Sequence, residues 1–270
     1  MPAQTAATDR LEDRPRAVAL VGPAGTGKTT LFHALMSAAE APAYNRGANV
    51  GHCRFKGELW RVIDGPVAPM LSEVDVAVVV CEPAPVQAFK LAPILADLQA
   101  RGVPHILFAN KIDLLACRVR DTVAALQEFS DRPLVLRQVP IREQGEVVGF
   151  VDVISARAYR YRAGEASALF SLPAQMLDRE NEALEALLDG LGDRGEALNQ
   201  KILNDIRLSS DEIFEQLKRD QQSGAIVQML LGSARHGNGI RRLWMALRHD
   251  APVPQMTVDR LQAPRATSSV

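Results

Sequence analysis

The run Ala17-Val-Ala-Leu-Val21, followed at once by Gly22-Pro-Ala-Gly-Thr-Gly27-Lys28-Thr29-Thr30, decides the fold. A short, continuous apolar run that stops at a glycine reads as a strand buried on both faces, as in a parallel sheet. The loop after it matches G-x-x-x-x-G-K-[ST], and Thr29 to Ala38 behind it has helical spacing. Glycines let backbone amides converge on phosphate oxygens without side-chain obstruction, and the N-terminus of a helix adds a favourable dipole. Gly22, Pro23, Ala24, Gly25, Thr26, Gly27, Lys28, Thr29 and Thr30 are therefore expected to cradle phosphates. Lys28 would reach the β- and γ-phosphates, and the Thr29 hydroxyl would ligate Mg²⁺.

Outward from this loop the same grammar recurs. Apolar runs at Leu59 to Ile63, Val76 to Cys81, His105 to Ala109 and Ala225 to Leu231 read as further strands. Between them Val86 to Ala100 has helical spacing despite Pro93, and Ile240, Leu243, Trp244 and Leu247 mark one face of another helix. Strands alternating with helices predict an α/β domain with a mostly parallel, doubly wound sheet. Residues 132–222 break the rhythm. Pro133 to Ile141 and Gly145 to Tyr161 read as strands around the polar turn REQG, and three helical stretches follow. The second runs from about Glu196 to Ile206, and the third opens on Ser209-Ser-Asp-Glu212, a capping box. The expected organisation is a flexible leader over 1–16, a parent domain over 17–131 and 223–250, an α+β insertion over 132–222, and a linker over 251–270.

Composition narrows the function classes. Of 270 residues 47% are hydrophobic and 23% charged, which suits a globular chain with a real core. Lys plus Arg number 31 against 32 Asp plus Glu, so bulk basicity offers nothing to nucleic acid and no direct DNA binding is expected. The strongest apolar stretch, Val74 to Cys81, is far short of a membrane span and contains Asp75. The polar N-terminus has no signal-peptide segment, and Cys53, Cys81 and Cys117 form no CxxC pair. These features predict a cytoplasmic protein without membrane contact, a disulfide framework or a zinc site. A monomer is expected.

The choice of base rests on Asn110-Lys111-Ile112-Asp113, which follows the run ending at Ala109 and so lies at the carboxyl edge of a strand. A carboxylate there accepts hydrogen bonds from guanine N1 and its exocyclic amine, and adenine offers neither donor. The stem of Lys111 can cover the base, and Asn110 can tie this loop to the phosphate loop. Gly232-Ser233-Ala234 follows the strand Ala225 to Leu231, and the amide of Ala234 is expected to donate to guanine O6. Asn110, Lys111, Asp113, Ser233 and Ala234 are the candidate guanine-binding residues, and the predicted ligands are GTP or GDP with Mg²⁺.

The stretches VGPAGTGKTTL, FKGELWRVIDGP, AVVVCEP, HILFANKIDLL, FVDVISARAYRY and IVQMLLGSARHGNGIRRLWMAL together resemble translational GTPases, most closely elongation factor G and its relatives. The resemblance spans residues 16–254 and implies a P-loop G domain with the family's inserted subdomain. It implies GTP binding and hydrolysis coupled to translocation or disassembly of the ribosome, with Lys28 and Asp64 as catalytic residues and Thr29 and Asp64 holding Mg²⁺. Two departures bear on turnover. Family members carry a threonine in the first switch, and this chain has none between Thr30 and Thr122; Glu40 to Asn49 is also short for that switch. The second switch should read D-x-x-G followed by a histidine, and here Asp64-Gly65-Pro66-Val67-Ala68 puts Val67 at the glycine and Ala68 at the histidine. The alternative expectation is a non-hydrolysing GTP- or GDP-binding module, regulatory or vestigial.

Overall fold

The computed structural model describes residues 14–45, 47–65, 70–162, 165, 167–171, 177–192, 200–201 and 208–262. In chain order its strands are β1 (Arg16–Val21), β2 (Glu40–Ala43), β3 (Val50–Phe55), β4 (Glu58–Asp64), β5 (Val76–Cys81) and β6 (His105–Ala109). They continue with β7 (Leu134–Leu136), β8 (Gln138–Glu143), β9 (Glu146–Asp152), β10 (Arg157–Arg160), β11 (Ala168–Phe170) and β12 (Val227–Leu231). The α-helices are α1 (Lys28–Ala38), α2 (Ala92–Ala100), α3 (Val119–Gln127), α4 (Leu177–Gly192), α5 (Ser210–Ser223), α6 (Ile240–His249) and α7 (Pro254–Gln262).

The apolar runs form the middle of an eight-stranded sheet in the order β2-β3-β4-β1-β5-β6-β12-β7. From β4 to β7 all neighbours are parallel, whereas β2 and β3 join antiparallel at one edge. Every residue of β1, β5, β6 and β12 is buried, because helices cover both faces. The pleat divides them. Val18, Leu20, Val78, Val80, Ile106, Phe108 and Leu230 face α1 and α6. Ala19, Val21, Ala77, Val79, Leu107 and Met229 face the segment 85–100 and α3. Under α6, Trp244 stacks on Phe55 at 5.0 Å and meets Trp60 edge-on at 5.3 Å, while its indole N–H donates to the Leu35 carbonyl at 3.0 Å.

The insertion builds a separate antiparallel sheet, β11-β10-β9-β8, which shares a core with α4 and α5 through Val139, Val151, Leu187, Ile213 and Leu217. The polar turn between β8 and β9 is a tight hairpin with positive φ at Gln144 (51°) and Gly145 (90°), the geometry that matches strand twist. The capping box opens α5 as expected: Glu212 N–H donates to Ser209 Oγ at 3.3 Å and Ser209 N–H to the Glu212 carboxylate at 3.0 Å.

Several boundaries differ from the sequence reading. The run Pro133 to Ile141 is two strands: Leu134–Leu136 pairs with β12 in the parent sheet, and only β8 belongs to the inserted one. The parent sheet therefore reclaims three residues from the start of the 132–222 segment. Gly145 to Tyr161 likewise folds as β9 and β10 around a turn at 153–156. Val86 to Ala100 is a 3-10 turn over Pro85–Leu91 followed by α2, because Pro93, lacking an N–H, is tolerated only in the first α-turn. Within the segment read as a linker, Pro254–Gln262 is a docked helix. The Thr257 hydroxyl donates to the buried Asp75 carboxylate, which also accepts the Ala17 N–H at 2.7 Å, and Arg260 donates to the carbonyls of Ser72 and Val74 at 3.0 and 2.8 Å. Arg16, placed in the leader by its sequence, begins β1 and donates to the carbonyls of Leu247, Arg248, Ala251 and Pro252. The leader to residue 13, Val67, Ala68 and most of Glu196 to Ile206 lie outside the described residues.

Candidate functional site

The site forms at the carboxyl edge of the parallel strands, where β1, β4, β5, β6 and β12 each hand over to a loop. After β1 two of the three loop glycines are sterically required. A side chain on Gly22 would strike the Val80 carbonyl, and one on Gly27 (φ 90°) would lie 2.5 Å from the Asn110 amide nitrogen. Lys28 folds over the loop and donates to the carbonyls of Gly22 and Pro23, both at 2.9 Å. The Thr26 hydroxyl also donates to the Pro23 carbonyl, at 3.0 Å. Gly27 is the N-cap of α1 and offers no side-chain acceptor, so no cap competes with an anion for the amides of the first turn. Ala24, Gly25, Thr29 and Thr30 are exposed on the same rim.

Asn110 joins the three loops. Its side-chain N–H donates to the Thr26 carbonyl at 2.8 Å, and its side-chain oxygen accepts the Ala234 N–H at 2.8 Å. The expected tie to the phosphate loop is thus present. The Ala234 amide, however, is spent on Asn110 rather than left free for a base oxygen. Lys111 sits at positive φ (63°), an uncommon backbone for a long side chain, and its ammonium donates to the Gly25 carbonyl at 2.7 Å while pairing with Glu82. The Lys111 stem thereby lies between the base-reading and phosphate-binding loops. Asp113 has one carboxylate oxygen buried without a hydrogen-bond donor, and the other faces His236 Nε2 at 3.7 Å. An unpaired buried acceptor costs about 1–3 kcal/mol, which a ligand donor would relieve. Ser233 is buried, and its backbone exchanges hydrogen bonds with Asn238, both at 3.0 Å, closing the loop.

Glu82 was missed by sequence reasoning. Its signal was positional: it follows Cys81 at the carboxyl end of β5, where ligands of open α/β sheets bind.

Asp64 ends β4 beside Leu20 of β1, with its N–H donating to the Asn49 carbonyl at 2.7 Å. Among the described residues no cluster of three acidic, histidine or cysteine side chains could cage a metal. Thr29 is exposed in the first turn of α1 and Asp64 half-buried at the end of β4; Mg²⁺ commonly takes only one or two protein oxygens and completes its shell with phosphates and water. The first-switch stretch begins in the sheet and ends at this edge, where the Asn49 carbonyl meets Asp64. Glu40–Ala43 is laid down as β2, exposed throughout and paired with β3, only two residues beyond the end of α1 at Ala38. No helix among the described residues is long and apolar enough to cross a membrane.

No protein-family model matches the chain. An elongation factor G-like protein of Synechocystis sp. is 30% identical over 275 residues, covering 91% of this chain and 41% of its own length. Elongation factor G 1 of Desulfotalea psychrophila is 28% identical over 214 residues, covering 75% of this chain and 31% of its own. Elongation factor G of Rhodopirellula baltica is 27% identical over 209 residues, with 76% and 28% covered. A solved structure from Thermus thermophilus superimposes with a TM-score of 0.76 at 23% identity, over 89% of this chain and 41% of that one. The chain spans less than half the length of each of these proteins.

Proposed function

The chain belongs to the translational GTPase family at the level of its G domain, and from that premise we propose that it binds GTP and GDP with Mg²⁺ but turns GTP over very slowly. The observation that carries the binding half is the Asp113 oxygen, buried and without a donor, on a loop that Asn110 ties to the phosphate loop. Guanine N1–H and its amine supply the missing donors. Gly22 to Thr30 take the phosphates, with Lys28 leaving its two loop carbonyls for phosphate oxygens. Mg²⁺, held by Thr29 and Asp64, would neutralise the phosphate charge.

The turnover half rests on the switches. Phosphoryl transfer is catalysed by positioning and electrostatics, and even an intact small GTPase without its activator works at ~10⁻⁴ s⁻¹. Here the first-switch stretch has no threonine, and its first four residues are committed to the sheet edge as β2. The part that reaches the carboxyl edge, 44–49, is short and lacks the hydroxyl that would close on a γ-phosphate, so GTP and GDP should bind with similar affinity. The relatives' role in elongation supports the ribosome as partner and the cytoplasm as location. The second reading, ribosome-stimulated hydrolysis serving translocation or disassembly, is favoured by the identity spread over 91% of the chain.

Calorimetric titration with GTP, GDP and ATP, followed by single-turnover hydrolysis with and without ribosomes, separates these readings. GTP and GDP are expected to bind within about threefold of one another and ATP roughly a hundredfold more weakly, with Lys28→Ala abolishing binding. Ribosome-stimulated turnover that Lys28→Ala removes would overturn the slow-turnover reading and establish the second.

A further inference from the structure

We propose that Gln138, a residue at the root of the insertion, is a positioning residue for base recognition: its side chain replaces a missing rung of the parent sheet and so holds the loop that organises the base site. The inference rests on the guanine-binding reading above.

The parallel ladder between β7 and β12 ends at the pair Leu136 and Met229. The chain then leaves the parent sheet, and Gln138 pairs with Asp152 in the inserted one. Among the described residues no strand remains on that side of the next inward amide of β12, that of Leu231. The Gln138 side-chain oxygen accepts that N–H at 2.7 Å, with the side chain completely buried. A side chain thus does at this point what backbone does elsewhere in the sheet.

The position of this rung gives it reach. Gly232, next in the chain, donates its N–H to the Ala109 carbonyl at 3.0 Å and accepts the Ile112 N–H at 3.0 Å. It is packed too closely for any side chain, since a β-carbon there would lie 2.5 Å from both Phe108 and the Asn238 carbonyl. Two residues on, Ala234 holds Asn110. Leu231 therefore sets a short rigid segment that grips the base-reading motif at Asn110 and at Ile112, the neighbour of Asp113. The insertion braces the far side as well, because Asp152 pairs with Arg242 on α6, the helix that follows this loop. Removing the Gln138 oxygen frees the last rung of β12 and lets the Asp113 carboxylate drift from the base edge, while the phosphate loop keeps its own bonds.

The test compares GDP and ADP binding by calorimetry in the whole chain, in Gln138→Met and in Gln138→Leu. Both variants remove the accepting oxygen at different volume, so one that fails to fold does not leave the question open. Ile213→Val, a change in the insertion's core away from β12, is the control for mere destabilisation. The expected result is that the GDP-to-ADP affinity ratio falls about tenfold in the Gln138 variants, through GDP alone, and stays constant in Ile213→Val. Equal weakening of both nucleotides, or an unchanged ratio, overturns the proposal. A wild-type ratio near one would instead sink the guanine reading itself, before any variant is made.

Discussion

Asn110, Asp113 and His105 lie within nine positions of one another on β6 and the loop behind it, yet they answer to different physics. Asn110 was legible because its spacing from a strand fixes where its amide can reach. That the Ala234 N–H would be spent on Asn110 was not, since that bond joins residues 124 positions apart. His105, at the head of β6, is buried, with Nδ1 against the Val103 carbonyl at 3.1 Å and Nε2 unpartnered. Burial, reinforced by Arg132, pushes its pKa from 6.5 down to about 4, against smaller opposing effects of the Val103 bond and Asp131. The unfolded chain therefore takes up a proton near pH 6.5 that the folded chain refuses until about pH 4. Stability contributed by neutral His105 is complete above the unfolded value and is lost as pH falls through this window, by roughly 3 kcal/mol in all. Urea midpoints at pH 7, 6 and 5 should drop more steeply for the wild type than for His105→Asn, which keeps a donor near Val103 and cannot titrate. Parallel pH profiles would refute this.

At the scale of elements, the chemistry of turns and caps was readable and the docking of short segments was not. Ser209 and Glu212 announce α5 within four residues, and Gln144-Gly145 announces the hairpin, because both signals are local. The run from Pro133 to Ile141 is apolar on both sides of Arg137-Gln138, which hides that this pair carries the chain from one sheet into the other. Pro252 and Pro254 suggested a linker, but a proline in the first helical turn starts a helix as well as ending one, and Pro254 begins α7. What secures α7 is tertiary: the Thr257 hydroxyl is completely buried on Asp75. Thr257→Val strips Asp75 of that donor and is expected to cost about 1–3 kcal/mol, lowering Tm by several degrees in a thermal melt. An unchanged Tm would mean that Arg260 alone anchors the helix.

Across the whole molecule, alternating strands and helices fixed the parent architecture from sequence, since continuous apolar runs can be satisfied only between two helical layers. How the insertion is held could not be read that way. Arg137 donates to Asp250 at 2.7 Å and to Gln228 at 2.9 Å in a buried seam, beside the Arg242–Asp152 pair. Burial lowers the pKa of Arg137, and the Asp250 carboxylate counters it. Such a pair does not reveal itself in periodicity, because it runs against the rule that interiors are apolar. Breaking it leaves a lone buried charge. Arg137→Met should therefore cost about 3–5 kcal/mol in urea unfolding, and adding Asp250→Leu should recover most of that. Additive losses in the double variant would show that the two residues act separately.

The aromatic stack beneath α6 has a practical consequence for that measurement. Both tryptophans of the chain, Trp60 and Trp244, lie in the parent domain, packed against Phe55 and beneath the Arg16 guanidinium, and the insertion contains none. Intrinsic tryptophan emission is thus an optical reporter blind to the inserted subdomain, whereas far-ultraviolet circular dichroism sees both bodies. Without any label, the gap between the two denaturation curves is a direct gauge of how tightly the seam makes two cores melt as one.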